Sequence, residues 1–140
     1  MNIASLRRHS DDGFSLVEML TVLIIIGVLA AIAIPLYLDQ QKRAHDSTAQ
    51  SDLNAITKGI LGEIEEDQVG APLLTVSGTS VLLDGESVGS LSPGVVLGSL
   101  HWTDYEDWCV DVTHPGGDHA KNPGYKFEST EGKVEVGQCS

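Results

Sequence analysis

The sequence has few basic residues, few aromatic residues and only two cysteines. Eight Lys and Arg stand against 20 Asp and Glu, which gives a formal net charge of −12 over 140 residues. This acidity excludes non-specific binding to nucleic acid, because such binding needs clustered Lys and Arg to neutralise phosphates. With two Phe, two Trp and three Tyr, neither a base-stacking platform nor a haem pocket is favoured. The length suits one domain of ordinary size.

Motifs of common catalytic and cofactor sites are scarce. The sequence has no P-loop, no dinucleotide-binding fingerprint and no C-x-x-C pair. His114, Asp118 and His119 share one segment, but their spacing matches no tight zinc motif, and Gly116 and Gly117 make that loop flexible. We therefore predict a protein that is not an enzyme and binds no metal or other cofactor. Calcium binding stays as an alternative, because four carboxylates supply the hard oxygen ligands that calcium prefers, those of Asp104, Glu106, Asp107 and Asp111.

The apolar residues are concentrated near the N-terminus. From Phe14 to Leu38 the only charged residue is Glu18, whereas residues 39–140 carry 17 acidic and 6 basic side chains. As a helix that rises about 1.5 Å per residue, this run is long enough to cross the ~30 Å hydrocarbon core of a bilayer. Three interpretations fit the run: a secretory signal peptide cleaved after Ala33, a plain single-pass anchor, or an anchor that is also an assembly interface.

Glu18 favours the third interpretation. A carboxylate within an apolar span costs about 2.5–3.5 kcal/mol even on a lenient insertion scale, so it is expected to have a partner. Cleavage after Gly13 creates a new α-amine on Phe14, one helical turn before Glu18, and positions i and i+4 share a helix face. This amine can meet Glu18 of its own chain or of a neighbouring copy. The alternative is that Glu18 reaches the lipid headgroups.

The segment Gly13-Phe14-Ser15-Leu16-Val17-Glu18, followed by a long apolar run with Pro35, resembles the class III signal of type IV prepilins and pseudopilins. The resemblance covers about residues 7–56. It implies that a prepilin peptidase removes a leader of residues 1–13 and N-methylates Phe14. It also implies that Glu18 pairs with the N-terminal amine of an adjacent subunit during assembly.

The resemblance further implies a kink or a melted stretch of helix at Pro35. Proline removes one backbone hydrogen bond and clashes with the preceding turn, so a kink is expected there on physical grounds as well. The second proline that is usual in the family is missing, because that region contains Leu53-Asn54-Ala55.

The helix is expected to continue beyond the apolar run of residues 14–38 as an amphipathic half at residues 39–68. Apolar residues recur there at spacings of three and four, and they form one stripe: Ala49, Leu53, Ile56, Ile60 and Ile64. Gly59 and Gly62 each cost about 1 kcal/mol relative to alanine in a helix interior. The acidic run from Glu63 to Asp67 is placed unfavourably at a helix C-terminus, and Gly70 and Pro72 end the helix.

After Pro72 the pattern changes to short apolar runs bounded by turn residues. Six strands are predicted, at Leu73–Ser77, Ser80–Leu83, Val95–Leu100, Trp108–Thr113, Gly124–Glu128 and Lys133–Val136. Residues 69–140 then form a C-terminal β-sheet region. We predict an α+β fold in which a long N-terminal helix packs on a small antiparallel sheet of about four strands, which is also the architecture that the pilin resemblance implies.

Cys109 and Cys139 both lie far from the apolar run. An even count in a chain with an export-like segment predicts one disulfide outside the cytosol, with two buried thiols as the alternative. Such a bond stabilises the fold by about 3–4 kcal/mol on the chain-entropy model. In pilins the loop closed by such a pair is often exposed and variable, so the resemblance makes residues 114–123 the expected display surface.

These features together predict a structural subunit of a type IV pilus. Its expected partners are other copies of itself in a helical filament, the prepilin peptidase, the membrane assembly machinery and, before assembly, the lipid bilayer. We expect a single-pass location in the cell membrane with the C-terminal region outside the cytosol, then an extracellular filament. The alternatives are a pseudopilin of a type II secretion or DNA-uptake system and an ordinary secreted or anchored domain.

Overall fold

The computed structural model of the chain describes residues 13–65 and 70–140. The predicted leader therefore lies outside the described residues except for Gly13, and so do Glu66 and Asp67 of the acidic run. The chain divides into two compact units, and the boundary falls between Tyr37 and Leu38.

One long helix, α1, runs from Leu16 to Glu63 and contains Pro35. The predicted apolar stripe is its buried face, because each of the five stripe residues is at most 7% exposed. The helix ends at Glu63, before the expected limit at residue 68. Its last turn carries no basic residue, and carboxylates at a helix C-terminus interact unfavourably with the helix dipole, which accounts for the early end.

Seven strands follow among residues 70–140, all in antiparallel pairs. They are β1 (Leu74–Ser77), β2 (Ser80–Leu83), β3 (Glu86–Ser90), β4 (Val96–Trp102), β5 (Trp108–Thr113), β6 (Tyr125–Glu128) and β7 (Lys133–Val136). β4 to β7 form a four-stranded sheet in sequence order, and β1 to β3 form a separate three-stranded sheet. The α+β class and the four-stranded antiparallel sheet are confirmed, whereas the prediction of a single sheet was wrong.

The strand that sequence reasoning missed is β3. Its five residues include one large apolar side chain, Val88, so the alternation that marks a half-buried strand is absent. Asp84 and Gly85 form the turn before β3, and both adopt positive φ, of 51° and 96°. Two such residues in sequence fit the tight hairpin turns that match the strand twist. The hairpin thus pairs β3 with β2 and completes the second sheet.

One hydrophobic core joins the stripe of α1 to the inward faces of the strands. In β5, Trp108, Val110 and Val112 are buried while the residues between them are half-buried. This alternation agrees with the period of two that the sequence shows. Tyr125 and Phe127 of β6 add their rings to the same core.

Two glycines allow β3 to approach α1 closely. A Cβ placed on Gly59 would overlap the carbonyl oxygen of Val88, and a Cβ on Gly89 would lie 2.9 Å from Cγ1 of Ile56. Sequence reasoning treated Gly59 only as a cost to helix stability. The structure shows that the missing side chain is what makes room for the backbone of β3.

Gly59→Ala is expected to lower the free energy of unfolding by about 1–3 kcal/mol, because the new methyl group forces helix and strand apart. Gly62→Ala is the matched control in the same helix, since a Cβ there meets nothing within 4 Å. It should be neutral or stabilising by up to about 1 kcal/mol. Urea unfolding of the full chain in detergent, followed by tryptophan fluorescence, measures both. Equal effects of the two substitutions would contradict the proposed close approach.

Candidate functional site

The first turn of α1 is held by Ser15 and Glu18. The backbone N–H of Ser15 donates to Oε2 of Glu18 at 2.9 Å, and the N–H of Val17 donates to Oγ of Ser15 at 3.3 Å. This reciprocal arrangement is a capping box, in which a serine and a glutamate three residues later satisfy unpaired N–H groups of the helix start. From the sequence, Glu18 was expected to pair with an amine of its own chain or of a neighbouring copy, or to reach the lipid headgroups, and a capping role was not considered. The S-x-x-E spacing was the signal that it overlooked.

Gly13 and Phe14 precede the helix, and both are exposed. The ring-bearing residue Phe14 is 81% exposed. A Cβ placed on Gly13 meets no atom within 4 Å among the described residues. Packing in the described part of the chain therefore gives no reason for a glycine at this position, and the bond between Gly13 and Phe14 is accessible.

The first half of α1 exposes nearly all of its apolar side chains. Seventeen large hydrophobic residues between Phe14 and Leu38 are exposed. Within the described residues, α1 is the one helix long and apolar enough to cross a membrane, with a mean hydropathy of 2.8 in its most apolar stretch. Glu18 is the only charged residue in this segment.

In the unit that begins at Leu38, a buried carboxylate of α1 holds the segment that follows β5. Asp46 is 7% exposed. Its Oδ1 accepts the N–H groups of Asp118 at 2.9 Å and Ala120 at 2.8 Å, and its Oδ2 accepts that of His119 at 3.3 Å. The ring Nδ1 of His119 lies 3.6 Å from Oδ2. Three consecutive backbone N–H groups thus surround one carboxylate.

Asp52 does the same for the segment between β3 and β4. It is 8% exposed, and it accepts the backbone N–H of Ser92 at 2.6 Å and the Ser92 hydroxyl at 3.0 Å. Both aspartates precede members of the apolar stripe by three or four residues, so they lie on the buried face of α1. Two of the many acidic residues therefore serve the fold as hydrogen-bond acceptors.

His114 is buried beside the same segment. It is 5% exposed, and its ring stacks on His45 with centroids 4.2 Å apart. The N–H of Gly116 donates to Nδ1 of His114 at 3.0 Å, while Nε2 lies 3.3 Å from the carbonyl oxygen of Pro93. These contacts assign the proton of the neutral ring to Nε2, which donates to Pro93.

The structure separates the three residues that the sequence suggested as a metal or acid–base group. Asp118 and His119 lie beside Asp46, whereas His114 packs in the interior. The flexible loop was also a wrong expectation: a Cβ on Gly117 would overlap Oδ1 of Asp46, so this glycine permits close docking. Only part of residues 114–123 is available for display, because His114, Gly117 and Ala120 are buried.

Two of the four carboxylates considered for calcium, those of Asp104 and Asp111, have structural partners. Oδ1 of Asp104 accepts the N–H groups of Glu106 and Asp107, each at 2.9 Å, and Oδ2 of Asp111 accepts the N–H of Cys139 at 3.1 Å. In the described part of the chain, three other carboxylates each have an oxygen within 4.8 Å of the others, those of Glu128, Glu131 and Glu135. Lys126 and Lys133 form ion pairs with them.

The predicted disulfide is confirmed. Cys109 of β5 is bonded to Cys139, with Cα atoms 5.8 Å apart and a sequence separation of 30 residues. It ties the C-terminal tail to the second strand of the four-stranded sheet. Disulfides persist in oxidising compartments, so this bond favours a location of the C-terminal unit outside the cytosol.

One sequence pattern needs the structure for its interpretation. Residues 85–89 match the G-x-S-x-G pattern of a nucleophile elbow, and the expectation from the sequence that this pattern is absent was wrong. An elbow places the serine in a sharp turn between a strand and a helix. Here Ser87 lies within β3 of an antiparallel hairpin, so the context that the motif requires is missing.

Comparison with known proteins agrees with the N-terminal resemblance. Residues 8–34 match the family model of the prokaryotic N-terminal methylation motif. The chain is 32% identical over 103 residues to a fimbrial protein of Pseudomonas aeruginosa, covering 74% of this chain and 66% of that protein. It is 48% identical over 46 residues to the type IV major pilin protein PilA of Myxococcus xanthus, covering 33% and 21%. The chain belongs to the type IV pilin family.

A third relative comes from a secretion system. The type II secretion system core protein G of Pseudomonas aeruginosa is 31% identical over 55 residues, or 39% of each chain. This pilin spans 66% of the length of the fimbrial relative. No solved structure matches it significantly. These relatives are fimbrial, pilus and secretion-system proteins, and the prediction that the chain is not an enzyme is confirmed by its family.

The contacts of Asp46 also set its titration. Burial by itself raises the pKa of this carboxyl, but the N–H groups of Ala120, His119 and Asp118 and the His119 ring outweigh burial and hold the pKa below the ordinary value of 3.8. A carboxyl with a lower pKa in the folded state stabilises the fold at pH values above its unfolded pKa. That contribution is lost as the pH falls through the folded value.

Asp46→Asn is therefore expected to lower the free energy of unfolding at pH 7 by about 1–3 kcal/mol, because one buried N–H loses its carboxylate acceptor. The free energy of unfolding of Asp46→Asn should also decrease less than that of the wild type as the pH falls below 4. Asp39→Asn, an exposed substitution on the same helix, is the control and should change neither. Urea unfolding at pH 7, 5, 4 and 3 tests both statements. An unaltered acid dependence in Asp46→Asn would contradict the assigned role.

Proposed function

We propose that the chain is a type IV prepilin, cleaved between Gly13 and Phe14, N-methylated at Phe14, and assembled through its N-terminal helix into a helical filament. The observation that carries the proposal is the exposed apolar half of α1 with a single carboxylate near its start. Before assembly, residues 14–38 anchor the chain in the cell membrane as a single span. After assembly, the same side chains pack on those of other copies.

The exposed area requires a cover. Soluble monomers rarely expose contiguous apolar patches above a few hundred Å², and burial of such surface contributes about 25 cal/mol per Å². Lipid tails and neighbouring apolar helices both meet this requirement. Gly27, Ala30, Ala31 and Ala33 are small residues that permit the close helix contacts found in membrane bundles.

Glu18 is suited to a second partner. Its Oε2 accepts the N–H of Ser15, and Oε1 accepts no hydrogen bond from the described residues. The α-amine that cleavage creates on Phe14 supplies a cation for this oxygen. We infer that the amine comes from a neighbouring subunit, so that the pair neutralises two charges within the apolar core and fixes the axial offset between copies.

Gly13→Asp is expected to block maturation, because the peptidase acts at this position, while the fold has no need of a glycine here. Mass spectrometry of the membrane-extracted protein should then show the uncut N-terminus, against N-methylated Phe14 in the wild type. Tryptophan fluorescence, which reports the C-terminal unit, should be unchanged. A mature N-terminus at Phe14 in the variant would count against the proposed site, and one at Ile34 in the wild type would indicate an ordinary signal peptide.

Glu18→Gln separates the two roles of this residue. Glutamine at the third helical position also completes a capping box, so the helix start is preserved while the charge is lost. We expect Glu18→Gln and Glu18→Val both to be processed and inserted normally, yet to yield at least tenfold fewer filaments in sheared fractions, as judged by immunoblot and electron microscopy. The membrane fraction is the control for expression.

The comparison between these two variants decides the mechanism. Wild-type filament yield from Glu18→Gln with loss in Glu18→Val would assign the effect to capping rather than to charge pairing. Wild-type yield from both would contradict the role of Glu18 in assembly.

A pseudopilin of a type II secretion system is the second candidate. The likeness to core protein G over 55 residues favours it, but the fimbrial relative extends over 103 residues. Electron microscopy distinguishes the two. A pilus subunit yields long surface filaments at native expression levels, whereas a pseudopilin does not.

A further inference from the structure

An open, charged pocket of about 360 Å³ lies in the unit that begins at Leu38. Its walls are one face of α1 and the segment after β5, and the residues that line it are Asp39, Lys42, Arg43, Asp46, Asp118 and His119. The helix members Asp39, Lys42 and Asp46 are three or four residues apart, so they lie on one side of the helix.

The wall formed by the segment after β5 is fixed in place. Asp46 binds the backbone N–H groups of Asp118, His119 and Ala120, as described above. The side chains of Asp118 and His119 are thereby presented at the pocket while their backbone is anchored. The His119 ring nitrogen is directed at Asp46, 3.6 Å away. The pocket is therefore preformed rather than assembled by a mobile loop.

Four charges in the pocket have no ionic partner in the described part of the chain. Lys42 and Arg43 form no ion pair with any residue of 13–65 or 70–140, and neither do the exposed carboxylates of Asp39 and Asp118. The pocket thus offers two cations and two anions side by side. A ligand that carries both a phosphate and an ammonium group matches this set.

The position along the chain indicates where such a ligand is found. Asp39 directly follows the apolar segment of residues 14–38. A helix advances about 1.5 Å per residue, and each headgroup layer is about 5–7 Å thick, so Asp39 to Arg43 fall at headgroup depth when that segment fills the hydrocarbon core. Lys and Arg side chains commonly reach lipid headgroups from such positions.

We propose that this pocket binds phosphoethanolamine, with the phosphate on Lys42 and Arg43 and the primary ammonium on Asp39 and Asp118. The proposal rests on the membrane residence proposed above. Guanidinium groups bind phosphate oxygens in a bidentate manner. A primary ammonium donates hydrogen bonds to carboxylates, which the quaternary ammonium of choline cannot do, and a glycerol headgroup has no cation. The pocket therefore selects phosphatidylethanolamine over phosphatidylcholine and phosphatidylglycerol.

The test uses the full chain reconstituted into nanodiscs with equal parts of the three lipids. After gentle detergent extraction, mass spectrometry counts the lipids that remain bound. We expect about tenfold enrichment of phosphatidylethanolamine, which corresponds to about 1.4 kcal/mol. Lys42→Gln with Arg43→Gln should abolish the retention, whereas Lys58→Gln, an exposed lysine further along α1, is the matched control and should retain it.

A second variant tests the ammonium side of the site. Asp39→Asn with Asp118→Asn should keep phosphate binding but remove the preference for phosphatidylethanolamine over phosphatidylglycerol. Equal retention of all three lipids by the wild type, or unchanged retention in Lys42→Gln with Arg43→Gln, overturns the proposal.

Two further experiments show whether the ligand is the lipid or its free headgroup, and whether a negative result concerns membrane insertion or the pocket. Competition by soluble glycerophosphoethanolamine in detergent, with the same dependence on Lys42 and Arg43, shows that the free headgroup is sufficient. Retention that is seen only from bilayers assigns the ligand to the lipid. Alkaline carbonate extraction checks membrane insertion separately. Loss of insertion contradicts the proposed function, whereas insertion without lipid preference contradicts only the pocket.

Discussion

The exposed apolar surface of the first half of α1 is the constraint on which the rest of the account depends. Its large side chains lie outside any core in the described structure, and at about 25 cal/mol per Å² their contact with water is untenable. Lipid or other copies of the chain must cover them. Glu18 restricts the choice further, since a carboxylate in an apolar environment needs a cation. The proposed processing after Gly13 would provide one at a defined distance along the helix.

The unit that begins at Leu38 is subject to a different constraint, because it must fold with a large excess of acidic side chains. It places two carboxylates, Asp46 and Asp52, on the inward face of α1 and satisfies them with backbone N–H groups. Hydrogen bonds to a buried charge are stronger than neutral ones. The two buried carboxylates thus hold the segments before β4 and after β5 in place. The disulfide between Cys109 and Cys139 ties the C-terminal tail to β5.

Features with a simple period were predictable from the sequence, and features that depend on a single contact were not. The stripe from Ala49 to Ile64 and the alternation of β5 follow from periods of 3.6 and 2. β3 was not predicted, because its pairing with β2 depends on backbone hydrogen bonds rather than on an alternation of apolar side chains. Asp46 carried a readable signal, since it lies three residues before Ala49 on the apolar face, but its three N–H donors come from more than 70 residues away.

The most direct test of the central claim is the structure of the assembled filament by electron cryomicroscopy. The account predicts that residues 14–38 form the filament core and that the carboxylate of Glu18 lies within about 4 Å of the Phe14 α-amine of an adjacent subunit, the range of an ion pair. A filament with the apolar helices on its outside, or with the Glu18 carboxylate far from every neighbouring amine, would contradict it.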